Sequence, residues 1–422
     1  MNERVESRDE LLTLLSEACE LEHGLACCYI YAAVSLKQDL AEGGLTWEQL
    51  QKTRLWASQV FQVAAEEMLH LSQAWNLITA LGGTPWYARP NFPQPSTYYP
   101  MHLPLETRPF GLDTLERFIA FEHPHDPTTP PPRPRPGDDA PAFRTVGELY
   151  ATVADAIQRL DTPHLFIGDP DHQITGEVVD FPDLVAVTDT ESALRAIDTI
   201  TEQGEGTQVA PVPDPVLTVA RKDSHYEIFL AVRRSYLAQS LKATGTGEVF
   251  SPVRPCITNP VAHPSAYLAA AGANPILNRH TAEVADAFDS VYTYMLRLLQ
   301  YVFDGATPAS DETVRDFARA ALRVMATVVK PLGEALTLMP AGTRGTRGYG
   351  DATAGPTFAV KRHIAFPREP SIAAPVAAET LERLQRRLDQ LASTVPKPPQ
   401  HLGRAAAHLA AIKLSCQPVN AG

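Results

Sequence analysis

Between residues 46 and 82 the chain places Trp56, Val60, Val63, Ala74, Leu77 and Leu81 at helical intervals, and the two central places of that apolar stripe are taken by Glu67 and His70. An ionised group inside a helical bundle is costly unless it is paired or holds a metal ion. The pair therefore demands company from other helices. Side chains three apart share one helix face, with Cβ atoms about 5 to 6 Å apart, so a carboxylate and an imidazole at this spacing can converge on one ion.

A second stripe supplies a first companion. Over residues 10–40 the apolar series is Leu11, Leu15, Ala18, Leu25, Tyr29, Ala32 and Leu36, and Glu22 occupies the missing position. Glu20 points away from this stripe, and Glu66 falls on the polar face with Gln59, Gln62 and Gln73. Two further Glu-x-x-His matches carry less. Glu20/His23 lies off its stripe, and Glu122/His125 spans Pro124, which breaks the helix that the geometry requires.

The rest of the 422 residues reads as mostly helical, with periodic segments at 113–122, 145–160, 190–206, 221–241, 279–303, 311–338 and 376–414. The 37 prolines cluster between them as rigid connectors. The expected organisation is an all-α chain: a bundle over 10–241 with an insertion at 83–189, a linker at 242–278 and a helical C-terminal module at 279–414. Glu177 to Phe181 has a weak strand signal. A net charge of −13 argues against nucleic acid and anionic membrane surfaces. Five scattered cysteines without a CxxC pair, and no apolar leader or span, point to a reducing cytoplasmic setting.

A four-helix di-metal centre needs ligands from two more helices, usually a third Glu and a second Glu-x-x-His pair. His225 leads the buried series Phe229, Val232 and Tyr236, but the position three before it is Lys222, so that second pair is missing. Glu202 and Glu205 end the 190–206 helix. Glu205 is nearer the apolar stripe, and a solvated helix end is the competing account of both. Trp86, Tyr87, Tyr98, Tyr99, His102, His123 and His125 fall in segments that either roof the bundle or pack as surface loop.

Taken in order, ELEHGLACCYIYA, EEMLHLSQAWNLITALGG, FIAFEHP, TVGELY, EQGEG and SHYEIF resemble the ferritin-like domain of the iminophenyl-pyruvate dimer synthase type. That domain is attached to the chromopyrrolate synthases of bisindole biosynthesis and also occurs in free-standing bacterial proteins. The resemblance covers roughly residues 10–240 and thins after 242. It implies a four-helix carboxylate-bridged di-metal fold, with Glu22, Glu67, His70, one or both of Glu202 and Glu205, and His225 as metal ligands. The implied cofactors are two Fe ions, with Mn as the alternative, and neither haem nor nucleotide. The haem-associated module of the longer bisindole enzymes has no room in this chain, so their coupling reaction is not expected here.

The expected activity is that of a non-haem di-iron oxidase or oxygenase, with a small-molecule substrate and dioxygen as partners and a homo-oligomer as an open option. Tyr29, two turns from Glu22, is the candidate catalytic side chain, with an ordinary core tyrosine as the alternative. Iron storage or detoxification is the competing function. Storage bundles are short and nearly bare, whereas this chain spends long segments on insertions and a rear module.

Overall fold

The computed structural model describes residues 5–87, 89–94, 103–125, 143–160, 162, 164–206, 223–343 and 348–415. Helices dominate, and the strands among these residues are the two-residue pair β1 (Pro260–Val261) and β2 (Asn274–Pro275), which lie parallel. Glu177 to Phe181 forms turns instead of a strand. No helix among the described residues is long and apolar enough to cross a membrane.

Two long helices, α1 (Arg8–Val34) and α2 (Trp47–Ala80), form the spine. Both begin where side chains satisfy free backbone N–H groups: Ser7 accepts from Glu10 N, and Thr46 forms a reciprocal capping box with Gln49. The other half of the bundle is built from four shorter helices, α3 (Leu112–Phe121), α4 (Val146–Arg159), α5 (Thr190–Gly204) and α6 (His225–Thr246). Helix α4 packs on α1 and α5, α3 packs on α6, and α5 and α6 both pack on α2. Capping boxes set two of these starts, Asp189 with Ser192 on α5 and Ser224 with Glu227 on α6.

The remaining helices are α7 (Ala266–Ala270), α8 (Arg279–Phe303), α9 (Glu312–Val324), α10 (Lys330–Leu336), α11 (Pro370–Thr394) and α12 (Gln400–Ala410). A π-helical turn, Met325–Val329, joins α9 to α10 just before Pro331, whose missing N–H interrupts the regular ladder. The periodic segment at 376–414 is two helices, because the chain turns at Val395 to Pro399.

The rear helices close over α1 and α2. Trp75 meets Phe303 at a ring separation of 5.2 Å, and Thr79 Oγ1 donates to Phe303 O at 2.9 Å. Arg254 is buried and ties three pieces together, donating to both Glu42 oxygens at 2.6 and 2.9 Å, to Val34 O at 2.7 Å and to Thr337 Oγ1 at 3.0 Å. One apolar core runs through front and rear helices alike. Sandwiching explains why residues 21–29 of α1 are buried on every side, including Glu22 and His23. His23, which its helical phase puts off the stripe, is a core residue whose Nδ1 lies 3.1 Å from Tyr87 O and whose Nε2 meets the Tyr292 hydroxyl.

Candidate metal centre

The centre lies where the four short helices end. Glu122 is the C-cap of α3, Gly147 is in the first turn of α4, Glu205 is the C-cap of α5 and His225 opens α6. These ends face Glu22 on α1 and Glu67 and His70 on α2, and every side chain of Glu22, Glu67, His70, Glu122 and His225 is buried. Beneath them the rings of Tyr29, Phe118 and Phe229 pack at 4.5 to 5.1 Å and exclude water from one side.

Glu67 stands between two imidazoles. Its Oε2 is 3.4 Å from His70 Nδ1 and its Oε1 is 2.9 Å from His225 Nδ1, with the two rings 5.3 Å apart. One atom from each of these three residues falls within 4.8 Å of the others, a spacing that can hold a cation. An outer carboxylate flanks each imidazole: Glu22 Oε2 is 3.7 Å from His70 Nδ1, and Glu122 Oε2 is 3.6 Å from His225 Nδ1. A buried phenol holds each outer carboxylate from behind. Tyr150 donates to Glu22 Oε1 at 2.8 Å and Tyr29 donates to Glu122 Oε1.

The far edges of both imidazoles are fixed by acceptors. His225 Nε2 lies 2.9 Å from Glu66 Oε2 and His70 Nε2 lies 3.1 Å from Gln203 Oε1. A carboxylate and an amide oxygen accept only, so both Nε2 atoms carry hydrogen and both Nδ1 lone pairs point toward the carboxylates. With the His225 ring neutral, Glu67 Oε1 and His225 Nδ1 confront each other at 2.9 Å as two acceptors. Such a confrontation is repulsive unless a proton or a cation lies between. The residues present therefore fit a metal, and the oxygen-rich donor set with two imidazoles suits Fe or Mn.

Electrostatics in the metal-free cluster show the same need for positive charge. Burial and then the neighbouring Glu67 charge push the Glu22 carboxyl up to about 8. Burial alone would depress His70, but its contacts with Glu22 and Glu67 raise it to about 9. His225 is likewise raised well above the usual histidine range against its own burial, by Glu122, Glu66 and Glu67. Burial and Glu67 together raise Glu122. Protons occupy the places where cations would sit.

Glu205 lines a cleft beside the cluster, together with Leu25, Val146, Ile200, Thr201 and Gly204, whose free volume of about 10 Å³ is no more than one water molecule needs. Both its oxygens are seated on backbone, at 2.8 Å from His125 N and 2.8 Å from Gly147 N in the first turn of α4, where the helix dipole favours a carboxylate. A Cβ on Gly147 would overlap that carboxylate. Gly147→Ala is accordingly expected to evict Glu205, strand the two N–H groups and lower stability by about 1 to 3 kcal/mol. Denaturant melts that match wild type would show that Glu205 does not use this seat.

Several placements differ from the sequence reading. Glu202 is exposed on the outer face of α5 and stands apart from the cluster, because the buried face of that helix is Ala193, Ala196, Ile197, Ile200 and Gly204. Glu122 belongs to the cluster: Pro124 does end α3, but the acid sits at the cap just before the break, and only the backbone of His125 is used. The signal was available, since Leu115, Phe118 and Glu122 continue one stripe. Glu66 is half-buried against His225 instead of solvated. Of the roof residues, exposed His123 packs on Tyr226, and Trp86 stacks on Tyr87 and tilts toward His363. Lys222, Tyr98, Tyr99 and His102 fall outside the described residues.

Comparison with known proteins gives two curated relatives. Dichlorochromopyrrolate synthase of Lentzea aerocolonigenes is 29% identical over 397 residues, covering 86% of this chain and 37% of that protein. The 2-imino-3-(indol-3-yl)propanoate dimerase of Chromobacterium violaceum is 27% identical over 379 residues, covering 84% of this chain and 34% of that protein. The chain thus spans about a third of the length of these relatives. An alignment over 86% of the chain exceeds residues 1–241, so the likeness continues into the rear helices, where the sequence motifs alone thin out. Among solved structures, a ferritin-like protein from Caulobacter vibrioides aligns at a TM-score of 0.46 and 20% identity over 75% of this chain and 94% of its own. Residues 15–234, more than half of the chain, match the ferritin-like family, and the chain belongs to that family.

Proposed function

We propose that the chain is a dinuclear non-haem metal enzyme that uses dioxygen to oxidise or oxygenate a small amino-acid-derived molecule in specialised metabolism. The observation that carries this reading is the Glu67 carboxylate, which offers one oxygen to each of two imidazoles whose Nδ1 lone pairs face it. Glu22, His70 and Glu67 would hold one ion, and Glu122, His225 and Glu67 the other. Two bound Fe ions, or Mn in their place, would supply the electrons that dioxygen requires.

The chain's own residues prepare that chemistry. Tyr29 and Tyr150 fix the outer carboxylates by donating to their rear oxygens, so the front oxygens stay turned inward. Tyr29 is also an oxidisable side chain in contact with Glu122, which gives it a place as positioning residue and electron relay. Leu25, Val146 and Ile200 make the wall of the small cleft apolar, suited to a molecule the size of dioxygen, while Glu205 adds a carboxylate on the same side. Glu202 takes no part. The relatives support this substrate class, one of them being named for an indole imino acid. Iron storage is less well supported, because rear helices wrap α1 and α2 and leave a narrow cleft instead of an open bundle.

Anaerobic reconstitution with Fe(II) followed by elemental analysis is expected to give close to two ions per chain. Exposure to air with aromatic amino and imino acids is then expected to consume dioxygen and yield an oxidised product by mass spectrometry. Metal content near zero refutes the reading, and metal uptake without any substrate-dependent dioxygen consumption favours storage.

A further inference from the structure

The two halves of the centre match in front and differ behind. Each has an imidazole Nδ1, an outer carboxylate and a phenol on that carboxylate's rear oxygen. Behind the rings the acceptors are unlike. His225 gives its Nε2 hydrogen to the carboxylate of Glu66 at 2.9 Å, whereas His70 gives its own to the neutral amide of Gln203 at 3.1 Å. The other end of Gln203 agrees with this orientation, since its Nε2 reaches Asp183 Oδ2 at 3.4 Å while its oxygen faces His70.

That difference has a direct electronic consequence. A carboxylate accepting from the imidazole pulls on the Nε2 proton and pushes electron density to Nδ1, strengthening it as a ligand, while an amide does this weakly. Charge adds in the same direction. Glu66, whose side chain is 12% exposed, contributes a carboxylate to the His225 half alone. Glu205 does not separate the halves, since it lines a cleft with Glu22 and His70 as well as with Glu122. On the His70 half the acid behind the ring, Asp183, stands one residue removed, beyond the neutral amide of Gln203, instead of accepting from the imidazole itself.

We propose that the two metal positions are unequal, that the Glu122/His225 position takes a divalent ion first and more tightly, and that Glu66 is the positioning residue that makes it so. This rests on the dinuclear reading above. A centre built this way fills in order: the first ion enters the more negative half, and its charge disfavours the second, which the shared Glu67 still admits.

Calorimetric titration of chelator-stripped protein with Co(II) alone, under argon, tests it without any turnover. Two steps are expected, separated by about 10- to 100-fold in affinity. Glu66→Gln keeps an acceptor opposite His225 and removes only its charge, so the tight step is expected to weaken by about tenfold or more while the weak step holds. Gln203→Glu is expected to strengthen the weak step by a similar factor. That gain of affinity is not something a merely structural contact would give, and it decides the matter even if Glu66→Gln fails to fold. Two ions bound in one indistinguishable step, or Glu66→Gln weakening both steps equally or neither, overturns the inequality while leaving a dinuclear centre standing. No Co(II) bound by the wild-type chain overturns the dinuclear reading itself.

Discussion

Glu67→Ala is expected to abolish binding at both metal positions, reducing metal content after reconstitution from about two ions per chain to near zero. The reason is geometric. Glu22 and Glu122 each lie against one imidazole, but Glu67 sends Oε2 toward His70 and Oε1 toward His225, so in a dinuclear centre its removal would strip a ligand from both ions at once. It also leaves two divalent ions with less negative charge in a buried site, which a low-dielectric core tolerates poorly. Glu22→Ala and Glu122→Ala, by contrast, should each cost one ion. Glu202→Ala serves as the control, since that side chain is exposed and should leave metal content at the wild-type level. Retention of even one tightly held ion by Glu67→Ala would show that the carboxylate does not bridge, and equal losses from Glu67→Ala and Glu202→Ala would show that the α5 face is misassigned.

The contrast between Glu67 and Glu66 also shows what a helical wheel can read. Periodicity singles out Glu22, Glu67 and His70 because each interrupts an apolar stripe and His225 because it leads one, and a polar group on a buried face is a local anomaly visible without any partner. The capping residues Ser7, Thr46, Asp189 and Ser224 mark helix starts for similarly local reasons. Glu66 and Gln203 are different. Their role is to accept from the rear nitrogen of a histidine on another helix, and nothing in their own helices distinguishes that from solvation. Glu122 is legible on its stripe but is masked by Pro124, which lies two residues beyond this C-cap acid and so ends the helix without displacing it. Glu205 and Glu202 lie at a helix end, where phase ceases to predict direction, and only the seat offered by Gly147 N and His125 N separates them. His23 shows the remaining failure: a polar helix face need not meet water when a second layer of helices covers it.

The metal-free protein is expected to lose stability as pH rises from about 5 to 9, and the metal-loaded protein is not. In the metal-free cluster the Glu22 carboxyl, ordinarily at 4.5, is held up at about 8 by burial and by Glu67. Between those two values the folded chain binds a proton that the unfolded chain has released, so raising the pH favours unfolding. The stabilisation is fully present below 4.5 and is lost as pH rises through 8. His70 follows the same sign over a higher window, from its ordinary 6.5 to about 9, because its neighbouring carboxylates hold its proton in the folded state only. His225 and Glu122 are raised as well and add to the same slope. Glu67, which burial would raise, is instead held low by Glu22 and His225, and its contribution appears only as pH falls below 4.5. Bound divalent ions displace these protons, and metal binding itself grows stronger as pH rises because the ligands must be deprotonated. The gap in melting temperature between loaded and chelator-stripped protein should therefore widen steadily from pH 5 to 9, by on the order of several degrees. Every titrating group outside the centre contributes equally to both forms, so the widening belongs to the cluster alone. A gap that stays constant across that range would mean that protons do not substitute for cations among Glu22, Glu122, His70 and His225, and the charge argument for a metal there would fall.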